Sequence, residues 1–590
     1  MPAKKLLTNY WGLYFILGLL LASCSKNSSH PPSERTTAHT KPPSADLIFT
    51  DAKIYSLNWG EPDSNGLPAK NALHDHAGWH ADADALAIKD GQILYVGNNA
   101  EALGFKNNTT RIVSLNGATI IPGVIDSHVH IEELGAILNH VNLIGTPTPE
   151  DAIMRIHKQF PTIADGSWII GQGWDEGTWA NHYPNKHILD KAFPNHPVVL
   201  KSLHGFAVWA NSLALEKAHI VSGTPAPIGG KILTDKTGAT TLLLDAIPVI
   251  SEQQLQNNLI NGLSRMARDG FVAIHQAGAD GAQIKAFQRL NSQHKLPVRV
   301  YAMLSVRDHK LAQQWAKRGP LTDDKGWLDI RSVKAFYDGA LGSRGARLLE
   351  DYSDMPGHKG VSGDGYGFDG QVVKSLMAAG FQIAVHAIGD AGNRETLNYF
   401  EKIYQLLPQT RQQRNRIEHA QVVNPDDFVR FKSLSIIASM EPHHAVEDMP
   451  WAEKRLGAER IKGAYAWRSM RKAGVRLTFN SDLPGSTHSI FSGLHAAVTR
   501  QNDQSQPAEG WHKEQALTIE ESIRAYTNWA AYAEFREKQT GIIKKDYWAD
   551  LTIMDIDPFK TGEQSPEKLL QGKILMTIID GKIVSDNTGH

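Results

Sequence analysis

Asp126-Ser127-His128-Val129-His130 closes an apolar run. On an extended strand, residues i and i+2 point the same way, so His128 and His130 share a face and could chelate one ion. Taken alone, the pair is as well explained by two polar residues at a strand end. Further along, Lys334 lies inside Ser332-Val333-Lys334-Ala335-Phe336-Tyr337-Asp338-Gly339, and His386 closes Ile383-Ala384-Val385-His386. His419 closes Arg416-Ile417-Glu418-His419, and Asp482 closes Leu477-Thr478-Phe479-Asn480-Ser481-Asp482. Singly, each reads as a solvated histidine or a lysine that snorkels to water. Six ligand-capable side chains in sequence order, each at or near the end of an apolar run, are hard to assign to chance.

The runs that would carry them lie at 119–126, 271–277, 297–304, 332–338, 381–388, 415–420, 435–440 and 475–482. Helical patterns fill most intervals, at 253–269, 371–379, 393–407 and 425–431. Eight strands alternating with helices fit a (β/α)8 TIM barrel, whose chemistry sits at the C-terminal ends of the strands. The gap from 127 to 270 is too long for one crossover and predicts an insertion at about 140–265, with Trp174, Trp179 and Trp209 in its own small core or a lid wall. Polar-Asp-Gly turns at Asp90-Gly91 and Asp580-Gly581 mark hairpins near both ends. They predict a small β-sandwich-like domain from residues 45–115 and 541–590, beside a barrel over 116–540.

Composition excludes several classes. The 590 residues carry 61 Lys+Arg against 62 Asp+Glu, and this balance argues against a nucleic-acid binder, which needs a basic face. One cysteine excludes a disulfide framework and any multi-cysteine metal site. That cysteine, Cys24, follows two lysines, a short apolar stretch and Leu21-Ala22-Ser23. The layout is that of a secretory signal peptide over 1–23. Leu21-Ala22-Ser23-Cys24 resembles a bacterial lipobox, which implies a lipidated Cys24, a flexible tether over 24–44 and a place in the cell envelope, facing the outer membrane or periplasm. An uncleaved anchor helix is the alternative.

The chain resembles the amidohydrolase superfamily of metal-dependent hydrolases, and within it the YtcJ-type branch (amidohydrolase family 3). The resemblance rests on Pro122-Gly123-Val124-Ile125-Asp126-Ser127-His128-Val129-His130, Gly171-Gln172-Gly173-Trp174-Asp175, Asn211-Ser212-Leu213-Ala214-Leu215, Lys334-Ala335-Phe336-Tyr337-Asp338-Gly339-Ala340-Leu341-Gly342-Ser343-Arg344, His386-Ala387-Ile388-Gly389-Asp390, Arg416-Ile417-Glu418-His419-Ala420-Gln421 and Asn480-Ser481-Asp482-Leu483-Pro484. It implies that His128 and His130 bind a first ion with Asp482, that His386 and His419 bind a second, and that Lys334 is carbamylated and bridges the two. Zinc suits imidazole and carboxylate donors best, with iron or manganese as alternatives. Two residues depart from the family pattern: Phe206 stands where a histidine is expected, and Glu441 where glutamine is common.

The resemblance implies hydrolysis of a non-peptide C–N bond in a small molecule, an amide or N-substituted formamide, by metal-activated water. Asp482 would move the proton, and His386 or Arg344 would assist the developing oxyanion. Asp338 and Asp390 would orient ligands or serve ordinary turn roles. Two alternatives stay open: a mononuclear deaminase or isomerase-type enzyme using His128, His130 and Asp482, and a non-catalytic binding lipoprotein. The sequence leaves homo-oligomer formation undecided.

Overall fold

The computed structural model describes residues 43–588 except 164, 175–178, 180–183, 203–206, 226–231, 233–250 and 362. The signal peptide, Cys24, Asp175 and Phe206 therefore lie outside the described residues. Eight parallel strands form the central sheet: β1 (Val124–Val129), β2 (Phe271–Ala279), β3 (Arg299–Ser305), β4 (Leu328–Phe336), β5 (Gln382–Ala387), β6 (Arg416–His419), β7 (Ile437–Met440) and β8 (Arg476–Phe479). Each pairs with its neighbours in sequence order. The ends of the sheet meet where Asp482 N donates to His128 O at 3.0 Å and His130 N to Leu483 O at 2.9 Å. The chain folds as a (β/α)8 barrel.

The apolar run at 119–126 is not one strand. Thr119–Pro122 belongs to a five-stranded sheet with Lys53–Ile54, Leu551–Met554, Ile574–Ile579 and Lys582–Asp586, and β1 begins only at Val124. Gly123 makes the transfer between sheets, and a Cβ there would lie 2.4 Å from Val272. Apolar continuity could not reveal this break, because both halves are buried. A second sheet, ordered 92–97, 85–89, 47–50 and 111–114, faces the first, and Phe49, Leu86, Ile120 and Ile553 pack between them. The two-residue loops at Asp90-Gly91 and Asp580-Gly581 have positive φ throughout, as tight hairpins require. Arg299 on β3 locks this layer to the barrel through a buried two-point contact with Asp550, at 2.7 and 3.0 Å.

Between β1 and β2, helix Ile131–Asn139 packs against helix Glu252–Arg268 at unusually close range. A Cβ on Gly135 would lie 1.7 Å from Asn258 O, and one on Gly262 2.5 Å from Ile131 O. The chain between these helices contains a separate sheet of Val141–Asn142, Ile169–Trp174, Val198–Ser202 and Val208–Ala210. Trp174, Trp179 and Trp209 form its core, with ring centroids 5.2 and 5.5 Å apart. The tryptophans thus hold the inserted sheet together. Among the described residues, no helix is long and apolar enough to cross a membrane.

Candidate metal centre

The C-terminal ends of the strands bring the six residues together. His128 lies near the end of β1 and His130 just beyond it, and each Nε2 is 3.3 Å from the same atom, Asp482 Oδ1. Lys334, on the inward face of β4, sets its Nζ 2.8 Å from His128 Nε2. His419, at the end of β6, has its ring centroid 5.2 Å from that of His128 and 4.5 Å from that of His386 on β5. Backbone geometry contributes to this convergence. His419, Ala420 and Asp482 have φ of 70, 41 and 50°, a region that non-glycine residues enter at an energetic cost. Asp482 is steadied by β1: Ser481 Oγ donates to Asp126 Oδ2 at 2.6 Å and Ser481 N to Asp126 Oδ1 at 3.1 Å.

A carboxylate to which the sequence analysis gave no role holds His128 in place. Glu418 on β6 is fully buried and lies 2.6 Å from His128 Nδ1. Arg416 donates to both of its oxygens, at 2.8 and 2.9 Å, and also to Ser127 O and Ser439 Oγ. The chain of contacts continues from Arg416 to His275 Nδ1 at 2.9 Å, and from His275 Nε2 to Glu534 at 3.2 Å. With Glu418 on Nδ1, the Nε2 lone pair of His128 is left for a metal. Alternation along β6 was the available signal, since Arg416 and Glu418 must share a face.

The electrostatics suit cation binding. Burial, aided by the charge of Lys334, pulls the pKa of His128 down to about 4, against the pull of Asp482 and Glu418, so its ring is neutral at pH 7. Burial would raise the pKa of Asp482, but His128, His130 and His419 hold it well below the ordinary carboxylate range. Burial would likewise raise Glu418, yet Arg416 and His128 keep it ionised. Lys334 is pulled down by burial, against Glu418, Asp482 and Glu441, which favours its neutral amine.

Glu441, after β7, is nearly buried. Its Oε2 lies 3.2 Å from His419 Nδ1 and 3.6 Å from His444 Nδ1. Burial opposes charge on His444, but Glu441 raises its pKa to about 10. Asp338 accepts the backbone N–H groups of Ile388, Gly389 and Arg347 and stands 3.7 Å from His386 Nε2. Asp390 accepts from Leu349 N and Ala391 N. Arg344 is not drawn into the cluster. It donates through Nε and Nη2 to Asp354, at 3.1 and 2.9 Å, and Arg455 binds the same carboxylate. That triplet commits the guanidinium expected to assist an oxyanion.

The residues fit a metal ion. Three donor atoms of His128, His130 and Asp482 lie within 4.8 Å of one another, and so do those of His419, Glu441 and His444. Among the described residues, His386 Nε2 and Glu441 Oε1 are buried without a hydrogen-bond partner, a costly arrangement unless something fills the site. Nitrogen and carboxylate donors of this kind suit zinc.

Residues 111–585 match the model of the Amidohydrolase family. The chain is 30% identical over 522 residues to YtcJ of Bacillus subtilis (strain 168), covering 86% of this chain and 96% of that protein. It is 26% identical over 547 residues to an N-substituted formamide deformylase of Arthrobacter pascens, covering 86% of this chain and 96% of that one. In structure it is similar to a metal-dependent hydrolase from Pyrococcus furiosus of uncharacterized function, with a TM-score of 0.69 and 25% identity, over 87% of this chain and 99% of the other.

Proposed function

This chain belongs to the amidohydrolase family of metal-dependent hydrolases, and on that premise we propose that it hydrolyses a non-peptide C–N bond in a small amide, with N-substituted formamides as the substrate class. The observation that carries the proposal is the convergence of His128 Nε2, His130 Nε2 and Asp482 Oδ1 beside the amine of Lys334. The similarity to a formamide deformylase supports the substrate class.

His128, His130 and Asp482 would hold one divalent ion, for which zinc is the best match to the donors. His386 and His419 would hold a second once Lys334 is carbamylated. In its unprotonated form the Lys334 amine would attack carbon dioxide, lose a proton and become an anionic oxygen donor. A bound divalent ion supplies acidity to water and polarises a carbonyl oxygen. Asp482 is the base: its Oδ2, the oxygen not shared between the two histidines, accepts a proton from the attacking water and returns it to the leaving nitrogen. Glu418 keeps His128 in one tautomer through the cycle. His444, held by Glu441 and partly open to solvent, takes the oxyanion role expected of Arg344.

One observation favours a mononuclear variant. His128, His130 and Asp482 complete a three-donor set without a change to Lys334, and such a centre suits deaminase-type chemistry. A hydrolysis screen of zinc-loaded protein separates these readings. We expect metal-dependent release of formate and amine from N-substituted formamides. Ammonia release from aminated rings alone would favour the variant, and ligand binding without turnover would refute both. We further propose that Cys24 is acylated and anchors the protein in the cell envelope. An unmodified cysteine in the intact mass of membrane-extracted protein would contradict that.

A further inference from the structure

Strand register places one more side chain at the mouth of the barrel. Ser305 on β3 pairs with Lys334 on β4, and Val306 N donates to Lys334 O at 3.1 Å. Two residues further on, Arg307 therefore comes beside Phe336, the next inward position after Lys334. The Arg307 guanidinium carbon lies 3.7 Å from the Phe336 ring centroid, with the exposed ring of Tyr366 at 5.4 Å. The same Phe336 ring is 5.3 Å from Lys334 Nζ and 6.1 Å from the His386 ring. Gly278, at the end of β2, lies beside Lys334 and Phe336, where a Cβ would make ordinary contact at 3.6 Å or more. One aromatic ring thus separates the metal centre from a guanidinium.

Among the described residues, Arg307 has no carboxylate or carbonyl partner, unlike Arg344, Arg347 and Arg455 around the same rim. The contact with the Phe336 face restrains the guanidinium of this exposed residue and leaves its N–H groups open to a ligand. A planar guanidinium of this kind matches a carboxylate at two points. We propose that Arg307 binds a carboxylate on the substrate, which narrows the substrate class to N-acylated amino acids, the acyl carbonyl at the metal centre and the acid on Arg307. This rests on the amide-hydrolysis reading above.

The test uses zinc-loaded full-length protein and calorimetric titration with paired probes. These are N-formylglycine and N-formyl-4-aminobutyrate, each set against its primary amide, so that only the charge differs and two spans are covered. The wild type should bind at least one acid about tenfold or more tightly than its amide. Arg307→Gln should erase that preference while leaving zinc content and amide affinity unchanged, and Arg307→Lys should keep part of it. The proposal is overturned if the wild type shows no preference, if Arg307→Gln retains it, or if Arg307→Gln weakens acid and amide alike. Should neither acid be deformylated while the Arg307-dependent preference persists, the hydrolysis reading fails and the carboxylate site stands. Deformylation without the preference gives the reverse.

Discussion

Replacing Glu418 with glutamine should damage metal binding and folding together, by amounts that can be worked out separately. Glu418 takes three short contacts, one with His128 Nδ1 at 2.6 Å and two from Arg416 at 2.8 and 2.9 Å. A glutamine amide has one acceptor and one donor end, so at least one partner loses its acceptor or faces another donor. The charge of Arg416 is then left without its carboxylate in a fully buried site, which costs about 3–5 kcal/mol in the metal-free protein. Loss of the group that orients a histidine ligand typically weakens metal binding about 10–100-fold, or about 1.4–2.8 kcal/mol. Urea unfolding of the metal-free protein reads the first quantity, and chelator competition reads the second. Adding Arg416→Met to Glu418→Gln should recover part of the stability, because the stranded charge is gone. It should recover none of the zinc affinity, because His128 is still unsteered. A Glu418→Gln protein with wild-type zinc affinity and an unchanged urea midpoint would refute this account of the buried network.

Asp482→Asn should lower kcat by about 10²–10⁴-fold with at least one ion retained on the histidines; steady-state kinetics beside metal analysis would show this, and a loss within about tenfold removes Asp482 from proton transfer. Lys334→Ala should lose one equivalent of metal and activity together, and added formate or acetate should restore part of both; full turnover with two tightly bound ions would contradict a bridging carbamate. Folding holds the pKa of His128 at about 4 against an ordinary 6.5, so between those values the unfolded chain binds the extra proton. The stability from a neutral His128 is present above pH 6.5 and lost as pH falls toward 4. In metal-free protein, the stability of wild type relative to His128→Asn should therefore drop by about 2 kcal/mol from pH 6.5 to 5. A rise measured by urea unfolding would contradict the assignment.

Barrel strands were legible because each is a short apolar run between helices, and the ligand-type residues because they sit at the ends of those runs. The terminal β layer was legible in its Asp-Gly hairpins. What escaped was set by contacts between distant segments. The break at Gly123 depends on Val272, which lies far along the chain. Glu418 stands beside His419 in the sequence, but its role comes from His128 on the far side of the barrel. The commitment of Arg344 depends on Asp354, in the loop after β4, and on Arg455, in the distant helix Ala452–Arg460. Glu441 stood out only as a departure from a family pattern, whereas its place between His419 and His444 follows from the chain path after β7.

The central claim is the position of the ion, and anomalous diffraction from crystals of the zinc-loaded protein at the zinc edge tests it most directly. The account predicts a peak bonded to His128 Nε2, His130 Nε2 and Asp482 at about 2.0–2.2 Å. A second peak should lie on His386 and His419 wherever Lys334 carries extra density for a carbamate. A fully loaded crystal with no peak between His128, His130 and Asp482, or with its only peak among His419, Glu441 and His444, would contradict it.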